Sequence, residues 1–381
     1  MNMKFDLSKE QEEFRNRIRE FAQTEIAKYA EENDRTGKLS PELIRKMGDA
    51  GYLGLTVPEE YGGHLVDNIS YAIAIEEMAK VCASTAISVA VHSSLGCGTI
   101  LYYGTEELKK KYLPDLATGR KIGAFCLTEP NAGSDAGALQ TTAKLEGDEY
   151  VLNGEKTFIL NGPIASVYTV FALTQPELKT KGISAIVVER DTPGFTISHV
   201  FDKMGVRAAE TAKLKFENAR VPKSNLLGKE GEGFKIALSC LDGGRVGVAA
   251  QALGIAEKCV ESAISYAKQR VQFGQPISKN QGLQWMIAEM ATRVEAARLL
   301  VYNAAYHRDM GRRVTREASM AKLFASQCAV DAASLCMQVH GGYSYMKEYP
   351  IERYYRDAKI TQIYEGTSEV QRIVISSQLG L

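Results

Sequence analysis

From Gly233 to Leu381 the chain carries only two prolines, Pro276 and Pro350, among long stretches rich in Ala, Leu, Glu and Arg. Proline lacks the amide hydrogen that a helix interior needs, so a stretch this free of it can run as long helices. Four long helices would fill the length, which favours a bundle. The preceding segment differs: residues 121–228 hold half of the ten prolines, Pro130, Pro163, Pro176, Pro193 and Pro222. There Ala143–Ile159 reads as a strand, a Gly147-Asp148 turn, a strand, an Asn153-Gly154 turn and a strand. Ile183–Val188 is a run of buried-strand type, and Phe195–Val200 follows a Pro193-Gly194 turn. Short strands at this spacing suggest a small antiparallel barrel or sandwich.

The N-terminal part reads as helical. Ser8 followed by Gln11 is a capping box, and Phe14, Ile18, Phe21 and Ile26 then recur near helical spacing, a core stripe. Ser40-Pro41 starts a further helix, with Ser40 as N-cap and Pro41 at the first position. Helical runs resume over Ser70–Val81 and Thr105–Leu113, the second stopped by Pro114. At roughly 100–200 residues per domain, 381 residues suggest two or three domains. The order helical, β, helical divides the chain into an all-α domain over 1–120, a β domain over 121–230 and a helical bundle over 231–381. The expected class is α+β, mostly helical.

Lys plus Arg and Asp plus Glu are 46 each, so the formal net charge is zero. A general nucleic-acid binder needs an excess of cations for phosphate, so that class drops out. Zero net charge also gives poor colloidal repulsion, which is tolerable where an oligomer covers much of the surface. Seven cysteines without a CxxC pair read as reduced, mostly buried thiols. Residues 1–5 show no apolar core of a signal peptide, and no run of some 18 apolar residues suggests a membrane span. A soluble, cytoplasmic protein is the expectation.

No GxGxxG opens a βαβ unit, and P-loop, HExxH, Glu-x-x-His and GxSxG motifs are all missing. The five histidines are scattered, so no metal is expected. Three stretches look unlike scaffold. Leu127–Asp135 puts small residues and hydroxyls in a Pro- and Gly-containing loop that could bring backbone amides close to a ligand, although its composition also suits an ordinary connection. Gln338–Tyr345 places Gly341-Gly342 inside a helical region, either a helix break or a close approach to a ligand. In Tyr364–Glu369, Thr367 or Ser368 can cap the last helix, with Gln371 completing a capping box on Ser368. Glu365 then sits between apolar Ile363-Tyr364 and Gly366. It is either a solvated loop acid or a desolvated carboxylate with a raised pKa, the condition for a general base.

Together, in this order, these stretches resemble the acyl-CoA dehydrogenase family across essentially the whole chain. The resemblance extends to Tyr52–Leu55, Pro58–Gly63, Thr128–Asp135, Arg270–Gly274 and Tyr354–Ala358. Leu241–Arg245 and Gln251–Gly254 are similar to the short-chain, butyryl-CoA branch. The implied reaction is α,β-dehydrogenation of an acyl-CoA, a carboxylate taking the α-proton while the β-hydrogen leaves as hydride to FAD. The matching base is Glu365. A minority branch places its base where this chain has Gly244, which cannot serve. The thioester carbonyl would be polarised by the flavin ribityl 2′-hydroxyl and by the Glu365 amide.

By match of motif, Phe125, Leu127, Thr128, Phe158, Ile159 and Leu160 would line the flavin. Arg270, Phe273, Gln281, Gln338, Val339, His340, Gly341 and Gly342 would bind adenine and diphosphate across a subunit interface. Thr367 and Glu369 would also touch FAD, and Ser134, Asp242, Arg245, Gln251 and Gly366 would lie on the substrate side. Electron-transfer flavoprotein is the implied electron acceptor and a homotetramer the implied assembly. Three positions depart from the family pattern: Phe158 for Trp, Leu160 for a Thr that bonds the flavin near N5, and Ser344 for the last Gly of Gly-Gly-x-Gly. They leave the acyl group and direction open: a cyclic, branched or aryl acyl-CoA, or enoyl-CoA reduction. A flavin-free acyl-CoA-binding protein is the alternative of another class. Gln251, bulkier than the Gly of medium-chain members, suggests a shallow acyl pocket.

Overall fold

The computed structural model describes residues 6–381. The expectation about a signal-peptide core over residues 1–5 lies outside them.

The N-terminal helices are α1 (Lys9–Phe21), α2 (Ala27–Thr36), α3 (Pro41–Asp49), α4 (Asn68–Val81), α5 (Ala83–Val91), α6 (Gly98–Tyr103) and α7 (Glu106–Ala117). The capping box on α1 is formed: Gln11 N–H donates to Ser8 Oγ (3.2 Å) and Ser8 N–H to Gln11 Oε1 (3.0 Å). Ser40 caps α3 with Pro41 at its first position, as expected. Pro114, however, does not end α7, which runs on to Ala117. The carbonyl that loses its amide partner belongs to exposed Lys110, where water can serve it, while Leu116 and Ala117 are buried and hold the last turn in place.

The strands are β1 (Gly123–Cys126), β2 (Thr142–Glu146), β3 (Glu149–Leu160), β4 (Val167–Leu173), β5 (Ile183–Glu189), β6 (Phe195–Val200), β7 (Thr211–Pro222) and β8 (Leu226–Leu227). They order as β6-β7-β3-β2-β4-β5-β8, with β1 beside β4. Most pairings are antiparallel, but β1 and β2 each run parallel to β4. Asn153-Gly154 does not turn the chain. It makes a bulge within the single strand β3, where Gly154 adopts φ +144° and a Cβ would stand 2.5 Å from Thr141 Oγ1.

Alternation along the strands feeds two cores. Val167, Phe171, Ile183, Ala185 and Val187 face the helices, whereas Tyr168, Val170, Ile186 and Val188 join Tyr150, Phe195 and Phe216 in a core of the sheet's own.

The C-terminal helices are α8 (Gly233–Gln269), α9 (Gln281–Asp309), α10 (Thr315–His340), α11 (Ile351–Ile360) and α12 (Ser368–Gln378), with a hairpin of β9 (Val271–Gln272) and β10 (Gln275–Pro276) before α9. The expected four long helices are thus three long ones and a short pair. Gly341 at φ +60° ends α10, and Glu365-Gly366 at φ +51° and +95° separate α11 from α12. The Tyr354–Ala358 motif joins all three regions. Arg356 reaches both Asp34 oxygens (3.0 and 2.7 Å) and the Met204 carbonyl, and Asp357 accepts from Val206 N–H.

Ala83–Tyr103 meets the length and composition of a membrane span, with mean hydropathy 1.2, although polar Ser, Thr and His residues interrupt its apolar run. Its window is 94% buried inside the protein, which marks it as a core helix. All seven cysteines are buried and unpaired.

Candidate active site

The loop between α11 and α12 carries two successive left-handed residues, Glu365 and Gly366. A left-handed φ is costly for glutamate, so the surroundings must hold it. Two buried side chains do so. Gln371 Nε2 donates to the carbonyls of Glu365 (3.3 Å) and Gly366 (2.8 Å), and Lys322 Nζ donates to Gly366 O (2.7 Å). Gln371 is therefore not part of a capping box. Thr367 is the N-cap, its Oγ1 accepting from Val370 N–H (3.2 Å).

Glu365 Oε2 is shielded from solvent and has no hydrogen-bond partner among the described residues, although the residue as a whole is only half-buried. Burial pushes its carboxyl up to about 7, against the pull of the Lys322 and Arg245 charges. Neither cation pairs with it directly. Arg245 donates to Asp242 Oδ1 (2.7 Å), and Asp242 Oδ2 in turn accepts from Thr315 Oγ1 (2.5 Å). Burial lowers the Arg245 pKa, and its Nε finds no acceptor. Gly244 gives the carboxylate its space, because a Cβ there would lie 2.1 Å from Glu365 Oε2. The Glu365 N–H also has no acceptor among the described residues. Behind it, Tyr364 Oη donates to Gln251 Oε1, while Gln251 Nε2 donates to Ala83 O (3.0 Å). A desolvated carboxylate poised near neutrality beside a free amide donor suits proton abstraction next to a carbonyl.

The structure brings Glu365, Gly366, Asp242, Arg245 and Gln251 into this one site. Phe125, Leu127 and Ile159 are buried at the junction of β1 and β3, with Thr128 and Leu160 half-buried there. Phe158, 64% exposed and at φ +55°, packs against Phe201 with ring centroids 5.0 Å apart. The loop after β1 is pinned by a buried ion pair, Lys156 Nζ to Glu129 Oε1 (2.7 Å). Lys156 also donates to Leu127 O, and Glu129 accepts from the amides of Gln140 and Thr141. Ser134, farther along that loop, is exposed.

Arg270, Val339, His340, Gly341 and Gly342 line a separate cavity of about 480 Å³, walled by Tyr266, Ile277, Tyr343 and Met346. Tyr266 stacks on His340 at 4.3 Å. The Arg270 guanidinium lies over the Tyr343 ring, 5.6 Å from its centroid, with no carboxylate partner among the described residues, and Cβ atoms on Gly341 or Gly342 would meet nothing within 4 Å. Ser344 closes the turn beneath by donating to Gly341 O (2.7 Å). Phe273 stands outside this lining, fully exposed at φ +51° at the tip of the β9–β10 hairpin; Gln281, Gln338 and Glu369 are exposed too. Among the described residues, three of the seven non-glycine residues with positive φ are thus candidate site residues, Phe158, Phe273 and Glu365.

Lys322, Lys156, Glu129 and Thr315 were not legible as site residues. The available signal was a lysine on an apolar stripe: Lys322 follows Ala318 and precedes Ala325, Ser326 and Ala329, all buried on one face of α10.

Family models match throughout: the acyl-CoA dehydrogenase N-terminal domain over residues 8–120, the middle domain over 124–219 and the C-terminal domain over 231–380. A short-chain specific acyl-CoA dehydrogenase of Clostridium acetobutylicum is 51% identical over 377 residues, covering 99% of this chain and 100% of that one. An NADH-linked acryloyl-CoA reductase of Anaerotignum propionicum is 50% identical over 379 residues, covering 99% and 96%. The solved butyryl-CoA dehydrogenase of Megasphaera elsdenii superposes with a TM-score of 0.97 at 45% identity, covering 100% of both chains. Matched in all three of its parts and at half identity over nearly its full length, this chain belongs to the acyl-CoA dehydrogenase family of oxidoreductases.

Proposed function

We propose that the chain catalyses FAD-dependent α,β-dehydrogenation of a short-chain acyl-CoA to the trans-2-enoyl-CoA, with Glu365 as the base and electron-transfer flavoprotein as the electron acceptor. The observation that carries this reading is Glu365 Oε2, shielded and without a hydrogen-bond partner among the described residues, on a carboxyl pushed up to about 7 beside its own free N–H. In the proposed cycle Glu365 takes the α-proton and its N–H donates to the thioester oxygen as negative charge gathers there. Desolvation makes the carboxylate a stronger base, and the nearby Arg245 and Lys322 charges keep enough of it ionised to act. FAD, when bound, supplies the acceptor for the β-hydrogen.

The residues present suit that cofactor. An unpaired Arg270 and the open Gly341-Gly342 backbone fit a diphosphate, and Tyr266 and Tyr343 fit a flat ring. Val339 and His340 lie in the same lining, whereas Phe273, Gln281 and Gln338 are exposed outside it, as residues reaching a second subunit of a homotetramer would be. Phe125, Leu127, Thr128, Phe158, Ile159 and Leu160 are assigned to the flavin end, and Thr367 and Glu369 to the α12 N-terminus beside it. Ser134, Asp242, Arg245, Gln251 and Gly366 are assigned to the acyl-CoA. Residues 1–120, 121–230 and 231–381 are assigned as its three domains. The likeness to the C. acetobutylicum and M. elsdenii proteins supports a short acyl group.

The enoyl-CoA-reducing direction is the second reading, favoured by half identity to an acryloyl-CoA reductase. Purified protein is expected to be yellow and to bleach with butyryl-CoA, and Glu365→Gln to keep its flavin but not bleach. A Glu365→Gln variant that bleaches normally would sink the assignment of the base. An acyl- and enoyl-CoA panel, with ferrocenium or reduced dye as partner, separates the two directions.

A further inference from the structure

We propose that Lys322 is a positioning residue for the base: its ammonium fastens the Glu365-Gly366 turn through the Gly366 carbonyl and supplies the charge that keeps the Glu365 carboxylate ionisable. The inference rests on the reading of Glu365 as the base. Lys322 is fully buried on α10, on a face otherwise made of Ala, Ser and Cys, where an apolar side chain would pack without cost. Among the described residues its three donors have a single acceptor, Gly366 O at 2.7 Å. That carbonyl follows a glutamate and is part of a glycine, both in the left-handed region, a conformation that must be imposed from outside.

Gln371 Nε2 supplies the second anchor on the same carbonyl at 2.8 Å, but it carries no charge. Lys322 therefore has two separable roles, as clamp and as cation. Burial draws its own pKa down to about 8, with the Glu365 charge opposing the fall. The ionisable groups that interact with Glu365 are Lys322 on α10, Arg245 on α8, Tyr71 on α4 and neighbouring Tyr364; Asp242 on α8, Arg308 on α9, Asp357 on α11 and Glu369 on α12 act in turn on those groups. Arg245 is held by Asp242, and Arg308 lies against Gly243, so Lys322 is the buried cation tied to the base's own loop.

The test uses the flavin-loaded enzyme with Lys322→Gln, which keeps a donor and removes the charge, Lys322→Met, which removes both, and Lys322→Arg, which keeps both. The pH midpoint of flavin reduction should rise by about one unit or more in the Gln and Met variants, as expected for loss of a nearby opposite charge. Only Met should also lower the plateau rate, by tenfold or more. The Arg variant should keep the wild-type midpoint. A second readout is independent of turnover: the infrared band of the protonated Glu365 carboxyl, identified by its loss in Glu365→Gln, should persist to higher pH in Gln and Met. If the midpoint and the infrared titration both stay at wild-type values in Gln and Met, the proposal fails while the base assignment stands. A Glu365→Gln variant that still reduces its flavin would instead remove the base reading on which the proposal rests. Should Met fail to fold, the Gln and Arg pair decides the charge role alone.

Discussion

Gly244 and Glu365 occupy one space: a Cβ on Gly244 would stand 2.1 Å from Glu365 Oε2, far inside van der Waals contact. The atom it meets is the far end of a flexible side chain, so Gly244→Ala should fold and bind FAD but swing the carboxylate out of line. A displacement of about 1 Å at a reacting group can cost a hundredfold in rate. A fall of at least tenfold in flavin reduction with unchanged flavin content is therefore expected. Gly282→Ala is the control. It lies at the exposed start of α9 with nothing within 4 Å, and should be neutral or add up to about 1 kcal/mol of stability.

The raised Glu365 pKa sets opposite trends for rate and stability. As base it must be ionised, so kcat/KM should climb through a midpoint near pH 7. For stability, the carboxyl is protonated in both folded and unfolded chains below its usual 4.5, and no penalty arises there. Between 4.5 and about 7 the folded state holds a proton that the unfolded state releases, so this group's contribution is lost as pH rises. Glu365→Gln carries no such loss. Its Tm advantage over the wild-type protein should be near zero at pH 4.5 and grow toward pH 8, read by calorimetry on flavin-loaded protein.

The Lys156–Glu129 pair is buried on both sides and braces the loop that carries Leu127 and Thr128. Lys156→Met would leave Glu129 charged and unpaired in the interior, a loss of about 3–5 kcal/mol. Lys156→Met with Glu129→Leu removes both charges, although the amides of Gln140 and Thr141 then lose their acceptor. The double variant should recover part of the single variant's loss in urea melts. A double variant less stable than Lys156→Met would show that the carboxylate serves those amides more than it serves the lysine.

How far the sequence discloses this molecule depends on which physical signal each part uses. The helical ends and the strands Ile183–Val188 and Phe195–Val200 follow from periodicity and caps, both local. Pro114 and Asn153-Gly154 misled because tertiary contacts decided them: buried Leu116 and Ala117 carry α7 past the proline, and Thr141 converts an apparent turn into a bulge. Ala83–Tyr103 passes for a membrane span by length and composition alone, and only its burial, which no local pattern records, marks it as a core helix. Glu365 was readable only as one of two alternatives, and the motif match chose between them. Its partners were hidden, because Lys322 is 43 residues away in sequence and acts on a backbone carbonyl that no pattern marks.

Gln251 offers the sharpest test of the acyl pocket. Its side chain is fully buried and spans from Ala83 O to the Tyr364 hydroxyl, closing the space beside the base with a polar wall. Gln251→Ala removes that wall and leaves the Tyr364 hydroxyl and the Ala83 carbonyl without their partner, which should lower stability by about 1–3 kcal/mol. The cavity it opens would accept more methylenes. Each buried methylene contributes about 0.8 kcal/mol, close to a fourfold gain in kcat/KM per carbon. The optimum of an acyl-CoA series should move one to two carbons longer, with the butyryl rate reduced or unchanged. If chain-length preference is the same in Gln251→Ala as in the wild-type protein, the acyl group does not end at Gln251, and the boundary of the pocket lies on another wall.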